Sequence, residues 1–458
     1  MKSISSLSGE EITELEDVGF SFAEFFKEKL IGNSLTKEKV NPCNTTSKEY
    51  LTEVLRAKCK NDLHEMLSFL TSLSPEVRSG IQLLDLDNEE LNGEHVAQVL
   101  MLCPSLEALD VKSRSLTSIH LPEDYENTKL RKISLDFCYH PMDEESFKLF
   151  FQKMASLEDL SIECSGATGN ILLGLNPIHF KKLKMSYCNN LAQDTLGIFL
   201  RECVKLEELT LLASNVSYDT LEKIPINSKL KKLAFYASDE DLTEEQLDRK
   251  FTFLFSKTKE LEELNLIGLK MKGEALKALN PSKLKVLKLT ACFEMDSKIL
   301  EEFFKTTKTL EELELKNTEI TESALKALDA SKLKVLCLWS NFTEEILGEF
   351  LAKAVLLEKL DLAHTDTTGL SLLSFNASNL KELLLHSCRN IDETVLSNFL
   401  ARTVNLKKLD LSKTSIRGEV FKNIEPYQLT SLKIFSCPLL DLKYIEKFPN
   451  KMRLLANF

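Results

Sequence analysis

Seven histidines are spread along the chain, at His64, His95, His120, His140, His179, His364 and His386. Histidine is the side chain best suited to move a proton or bind a metal near neutral pH. Only His364 and His386 fall at matching points of a recurring phrase, in LEKLDLAHT and KELLLHSCRN, which sets them on neighbouring strands. No cysteine shares their rung. The nearest carboxylate, Asp361, has no distinctive placement in the phrase. No HExxH, Walker A, GxGxxG or CxxC metal pair is present. The pattern predicts a recognition or structural role for the two histidines. It predicts no catalytic residue, no metal, no cofactor and no enzyme activity.

The phrase that positions them is Leu-x-x-Leu-x-Leu. It reads LEELEL at Leu310–Leu315, LKVLCL at Leu333–Leu338, LEKLDL at Leu357–Leu362 and LKKLDL at Leu406–Leu411. Strict alternation puts the leucines on one side of a short strand and the intervening residues on the other. Fifteen such phrases begin at Ile81, Leu106, Leu130, Leu157, Phe180, Leu206, Leu230, Leu261, Leu284, Leu310, Leu333, Leu357, Leu380, Leu406 and Leu429, and a degenerate sixteenth spans Met452–Ala456. Between them, segments such as Ile391, Val395, Leu396, Phe399 and Leu400 carry near-helical apolar spacing. Parallel strands need crossovers, and these segments supply them. A repeat this short and this persistent predicts an α/β solenoid with a curved parallel sheet inside and helices outside.

The repeats alternate in length. From Leu261 the spacings run 23, 26, 23, 24, 23, 26 and 23 residues, so the unit is a pair. The interval from Leu230 to Leu261 is longer, at 31 residues, and its extra polar stretch SDEDLTEEQLDRK predicts a longer helix or a surface loop. Cys138, Cys188, Cys292, Cys388 and Cys437 each fall three residues after the last apolar residue of a strand. They mark a tight turn and predict buried, reduced thiols instead of a disulfide framework. Asn341 holds the same place, so its glycosylation sequon carries little weight. Acidic and basic pairs also alternate at the strand entries, as Glu207–Glu208, Lys231–Lys232 and Glu262–Glu263. Side by side they would form a charge ladder that fixes register.

The positions facing away from the leucines form the predicted concave surface. Two groups of large side chains stand out there: Tyr187, Leu212, Tyr236 and Ile267, and then Lys316, Trp339, His364 and His386. Trp339 is the one tryptophan of the chain. Aromatic groups with polar neighbours are the usual make-up of a protein-binding hot spot. The alternative is that Trp339 packs along the sheet against Lys316 and His364 with no partner. The helical faces are the alternative binding side.

The chain has 458 residues, 43% of them hydrophobic, and a net charge of −12. The charge weighs against nucleic acid and anionic membranes as partners. No signal-peptide core and no long apolar run appears, so a cytoplasmic protein is expected, in a host cytosol if it is a microbial effector. Residues 1–80 lack the repeat. They predict a helical N-terminal cap or docking region, with apolar spacing at Ile12–Leu15, Phe20–Phe26 and Leu51–Leu70, ahead of a repeat domain over 81–458.

On these phrases, residues 81–458 resemble the leucine-rich repeat superfamily. LKVLKLTACFEMDSKILEEFF and LKELLLHSCRNIDETVLSNFL are similar to the cysteine-containing subtype of F-box adaptors. Their pairing with shorter ASKLKVL-type repeats is similar to the ribonuclease-inhibitor subtype. The resemblance implies a non-enzymatic protein-recognition scaffold. No F-box phrase is present. Leu55, Cys59 and Leu63 do match the Leu-x-x-x-Cys-x-x-x-Leu core of the elongin-binding box, with Val54 where a small residue or proline is usual. This implies, as an alternative, an adaptor that docks a ubiquitin-ligase component through residues 47–72. A host-directed effector is a further alternative.

Overall fold

In a computed structural model the described residues are 47–136, 142–163, 166–188, 190–212, 214, 216–226, 228–236, 242–425, 427–448 and 453–454. The helices expected near Ile12–Leu15 and Phe20–Phe26 lie outside them, as does Cys138. The chain divides into two compact units, residues 1–228 and 229–458.

In the first unit, helices α1 (Ser47–Asn61), α2 (Leu63–Ser72) and α3 (Pro75–Ser79) precede β1 (Leu83–Asp87), β2 (Ala108–Lys112), β3 (Lys132–Asp136), β4 (Asp159–Glu163), β5 (Lys182–Ser186) and β6 (Glu208–Leu212). In the second, β7 (Lys232–Tyr236), β8 (Glu263–Ile267), β9 (Val286–Thr290), β10 (Glu312–Leu315), β11 (Val335–Leu338), β12 (Lys359–Asp361), β13 (Glu382–Leu384), β14 (Lys408–Asp410), β15 (Ser431–Lys433) and β16 (Arg453–Leu454) follow one another. Within each unit every strand pairs in parallel with the next in sequence. The strands from β1 to β15 begin two residues after the leading apolar residue of each phrase, and β16 falls in the degenerate sixteenth. The leucines are buried, as at Leu313, Leu336, Leu360 and Leu383. Among the described residues no helix is long and apolar enough to cross a membrane.

The alternation of repeat length has a structural cause. Longer repeats return through an α-helix of eight to ten residues, such as Ser297–Thr306 or Glu393–Leu400, while several shorter ones return through 3₁₀ turns, such as Glu274–Ala278 and Leu370–Ser374, and the short repeat from Leu310 keeps a six-residue α-helix, Glu322–Ala327. The long interval before Leu261 holds a 14-residue helix, Glu244–Lys257.

Buried backbone groups at these returns are satisfied by the neighbouring repeat. Gly369 opens its 3₁₀ turn with φ +91°, a left-handed conformation that exposes amides with no partner of their own. The Glu344 carboxylate, at the start of the preceding helix, accepts from the amides of Thr368 (2.5 Å), Gly369 (3.3 Å) and Ser371 (2.7 Å). Glu393 does the same for Arg417, Gly418 and Val420, Asp248 for Lys272, Gly273 and Ala275, and Glu144 for Thr168 and Gly169. In all four the acid precedes the left-handed glycine by 25 residues. Asp248 fits although it lies a turn inside its helix, because that helix starts a turn earlier.

At the strand exits, the described cysteines are free and buried. The Cys388 thiol donates to the Leu362 carbonyl (3.0 Å) and Cys437 to Leu411 (3.1 Å). Hydroxyls take the same place in alternate repeats: Thr318 donates to Leu289 (2.7 Å) and Thr414 to Leu411 (2.6 Å). The charge ladder is present at the strand entries, with Lys182–Glu208 at 2.7 Å in the first unit and Lys232–Glu263 at 2.8 Å and Lys334–Glu311 at 2.6 Å in the second. Such exposed pairs contribute about 0.2–1 kcal/mol each, so they tune register more than they hold the fold.

Removing a carboxylate clamp strands several half-buried amides together. Glu344→Ala should lower the unfolding free energy read from urea melts by about 1–3 kcal/mol. Burial pushes the Glu344 carboxyl up, but donors from Ser371, Thr367 and Thr368 outweigh it and hold the group below its ordinary value. Its contribution is therefore full above the unfolded pKa, about 4.3, and is lost below it as pH falls through the lower folded pKa. The deficit of the variant should shrink over that window; an equal deficit at all pH values contradicts the clamp.

Candidate functional site

Strand register sets the geometry of the second group of predicted residues. Asp361 on β12 pairs with Cys337 on β11 and with Leu384 on β13. Two residues further on, Trp339, Ala363 and His386 stand level just past the ends of three successive strands. Ala363 is fully buried and offers only a methyl group, so the larger side chains on either side converge above it. The Trp339 and His386 rings are 6.0 Å apart and edge-on. His364 lies one residue beyond that row, yet its ring is 4.8 Å from Trp339 and 4.3 Å from His386. A left-handed backbone at His364, φ +61°, accompanies this placement, and its amide donates to the His386 carbonyl (3.0 Å). Such a conformation costs a non-glycine residue about 1 kcal/mol or more.

Asp361 lies beneath this cluster with 2% of its side chain exposed. Its carboxylate accepts the Trp339 indole N–H (3.2 Å) and the Ala363 amide (3.1 Å), and stands 3.4 Å from the Lys316 ammonium. Lys316 Nζ also lies 5.5 Å from the Trp339 ring centroid, in cation–π range. The chain of alternating charge continues outward. Lys316 is 3.7 Å from Glu314, and Glu314 is 2.6 Å from Lys288. Burial pulls Lys316 down, but the Cys337 sulfur, Asp361 and Glu314 together raise it above its ordinary value. Burial likewise pushes Glu314 up and Lys288 more than reverses it. His386 is held below its ordinary value, first by burial and then by His364, against the opposing pull of Asp410 and Asp361.

Asp361 thus has a defined place that the sequence phrase did not disclose. Two other expectations are corrected. Cys337 occupies an outward strand position but is fully buried, its thiol pushed up to about 12 by burial. Asn341 is exposed and exchanges hydrogen bonds with Asp366 (2.9 and 2.8 Å) where its counterparts Cys292 and Cys388 are buried. The exit after Trp339 is shorter. Its helix starts at Glu344, six residues after Leu338, where the exit after Leu289 takes eight. Ser340 consequently lacks the left-handed turn found at Ala291, Asn317, His364 and Ser387.

The first group is divided between the units. Tyr187 is exposed and left-handed, φ +60°, and its amide donates to the Leu212 carbonyl (3.0 Å). The residue level with Leu212 is Ser186, so Tyr187 sits one place past the expected row. In the second unit Tyr236 pairs with Ile267 and lies over Gly268, where an added Cβ would come within 3.2 Å of the ring. Leu55, Cys59 and Leu63 are buried, at 0%, 0% and 5% exposure. The Cys59 carbonyl accepts from Asn88 (2.7 Å) and the Thr52 hydroxyl donates to Leu83 (3.2 Å), which ties α1 to β1. Among the described residues no group of three or more histidine, cysteine or acidic side chains could hold a metal.

Asp361→Ala leaves Lys316 and the indole without their acceptor. It should lower stability by about 3–5 kcal/mol in urea melts followed by Trp339 emission, and a change within about 0.5 kcal/mol contradicts the arrangement. His386 binds its proton less readily folded than unfolded, so its contribution is full above pH about 6.5 and falls away below it. His386→Gln should flatten the loss of stability between about pH 7 and about pH 5; an unaltered slope assigns that loss elsewhere.

No protein-family model matches the chain. No curated protein matches it in sequence. Among solved structures it is similar to a chain of the Rad7–Elc1 complex of yeast, at 17% identity and a TM-score of 0.52, over 94% of this chain and 98% of that one. It is also similar to the LRR protein LIC12759 of Leptospira interrogans, at 15% identity and a TM-score of 0.43, over 81% of this chain and 94% of that one. At these identities the likeness is one of fold. Repeat phrase, parallel register within each unit and the likeness in fold to the chain of the Rad7–Elc1 complex agree: the chain folds as an α/β leucine-rich repeat solenoid.

Proposed function

We propose that the chain is a non-enzymatic scaffold that binds a protein partner on the sheet face opposite the leucines, centred on Trp339. The observation that carries this reading is the fixed indole. Trp339 is half-exposed while its N–H is bound to a buried carboxylate. A rigid, partly exposed aromatic loses little entropy when covered, which is the character of a binding hot spot. His364, His386 and Lys316 extend the patch, and Tyr187, Leu212, Tyr236 and Ile267 offer further contact area on the two units. Residues 1–80 then serve as the cap of a repeat domain over 81–458, the role that the buried α1–β1 contacts favour. The reading places the protein in the cytoplasm, or in a host cytosol if it acts as an effector.

A second reading is the substrate-recognition adaptor of a cullin-type ubiquitin ligase. Two observations favour it: one similar structure is a complex of Rad7 with Elc1, and Leu55, Cys59 and Leu63 match the elongin-box core. The burial of those three side chains weighs against it, because a partner would have to use the outer faces of α1 and α2.

Trp339→Ala should leave the melting midpoint within a few degrees of the parent and remove one specific protein from affinity capture with the full chain. Equal capture by two equally folded proteins refutes the sheet-face assignment. Leu55→Ala should destabilise by about 2–4 kcal/mol as a core truncation. Purified Elc1 separates the second reading: saturable binding that survives Trp339→Ala supports an adaptor, and no binding removes it.

A further inference from the structure

We infer that the strip from Lys316 across to Lys433 receives an acidic segment of a protein partner, and that the segment binds more tightly as pH falls. This inference rests on the sheet-face reading and names the chemistry of its partner.

Two acids of this strip are turned inward, and three of its bases are turned outward. Asp361 and Glu314 keep only 2% and 14% of their side chains exposed and are neutralised by Lys316 and Lys288. Asp410 is half-buried and accepts the Ser412 amide (3.0 Å). His364, Lys413 and Lys433 are exposed. Among the described residues neither Lys413 nor Lys433 forms an ion pair, although most lysines at the strand entries do. Within a chain of net charge −12, this strip therefore leaves exposed bases whose charge is not taken up by its own acids. Successive strands are about 4.8 Å apart, so His364 and Lys413, two strands apart, would meet carboxylates about 10 Å apart on a bound segment. Trp339 and half-buried Phe435 flank those two carboxylates and offer apolar contacts on either side of them.

His386, with His364 beside it, supplies the pH dependence. The His364 ring lies 4.3 Å from that of His386 and opposes its protonation. His386 faces His364 and Lys413, which resist its charge, and Asp361 and Asp410, which favour it. The two acids are committed to Lys316 and to backbone amides. An incoming carboxylate supplies the missing counter-charge, so its binding takes up a proton and is favoured by acid. A nucleic acid fits less well. Few bases are available for a continuous phosphate backbone, and the net charge of the whole chain repels a long polyanion.

Trp339 is the one tryptophan, so its emission reports on the site in the full-length protein. The probe is a short peptide alternating glutamate with serine, titrated at about pH 7.5 and about pH 5.5, with the glutamine counterpart and single-stranded oligothymidylate as comparisons. The expected result is affinity about tenfold or more higher at the lower pH. The glutamine peptide should not bind. Lys413→Gln, at an exposed position, should weaken binding at both pH values, and joint His364→Gln and His386→Gln should abolish the gain in acid. Equal affinity at both pH values, equal binding of the glutamine peptide, or preference for the oligonucleotide would overturn the inference. If the acidic peptide fails while capture of the natural partner still requires Trp339, the acidic class falls and the sheet-face reading stands. If capture is also indifferent to Trp339, both fall.

Discussion

The structure depends on one requirement: a buried polar group at the edge of one repeat must be satisfied by the next. A repeat array has no closed core, and each strand and return segment ends at a junction where backbone groups would otherwise be stranded. Carboxylates on helix starts bind the amides of the following turn. Cysteine thiols and threonine hydroxyls bind the carbonyls left at strand exits. Leucines alone would stack the repeats but would not choose a register; the polar contacts that cross from one repeat to the next do, because a slip by one residue would unpair them.

The same requirement, applied on the exposed face, builds the candidate site. Asp361 is a buried carboxylate in the middle of the sheet and is tolerable only if fully partnered. Its partners are Trp339, Lys316 and the Ala363 amide, so the need to satisfy one acid fixes the orientation of an exposed aromatic. The small Ala363 opens the space, and the left-handed turn at His364 accompanies the arrangement that brings a second imidazole into it. The shortened exit after Trp339 removes the usual buried cysteine or threonine from that repeat.

Much of this was legible in the sequence. Leucine alternation located the strands to within two residues, since burial of every second side chain leaves a direct trace in residue type. The alternation of Glu-Glu with Lys-Lys disclosed the charge ladder. Other features left weaker traces. An acid at the start of a helix reads as an ordinary first-turn residue, so the 25-residue interval from Glu344 to Gly369 is silent unless the turn conformation is known. Left-handed exits at Tyr187 and His364 are carried by residues other than glycine, which hides them, and they displace those side chains by one place. Asp361 sits at an outward-facing position of a strand and reads as exposed; its burial arises from Trp339 and Lys316, which lie on other repeats. The Leu55, Cys59 and Leu63 pattern is equally consistent with a docking motif and with a buried helix face, and the burial of all three side chains leaves no trace in their spacing.

The central claim is that a buried carboxylate holds the one tryptophan in a fixed, half-exposed position. The direct measurement is the ¹⁵N-edited spectrum of the full chain labelled only at tryptophan, which yields a single indole resonance. One downfield N–H signal is expected that exchanges slowly with solvent and moves upfield in Asp361→Asn. A signal at the position of free indole, exchanging at the unprotected rate and indifferent to that substitution, would contradict it.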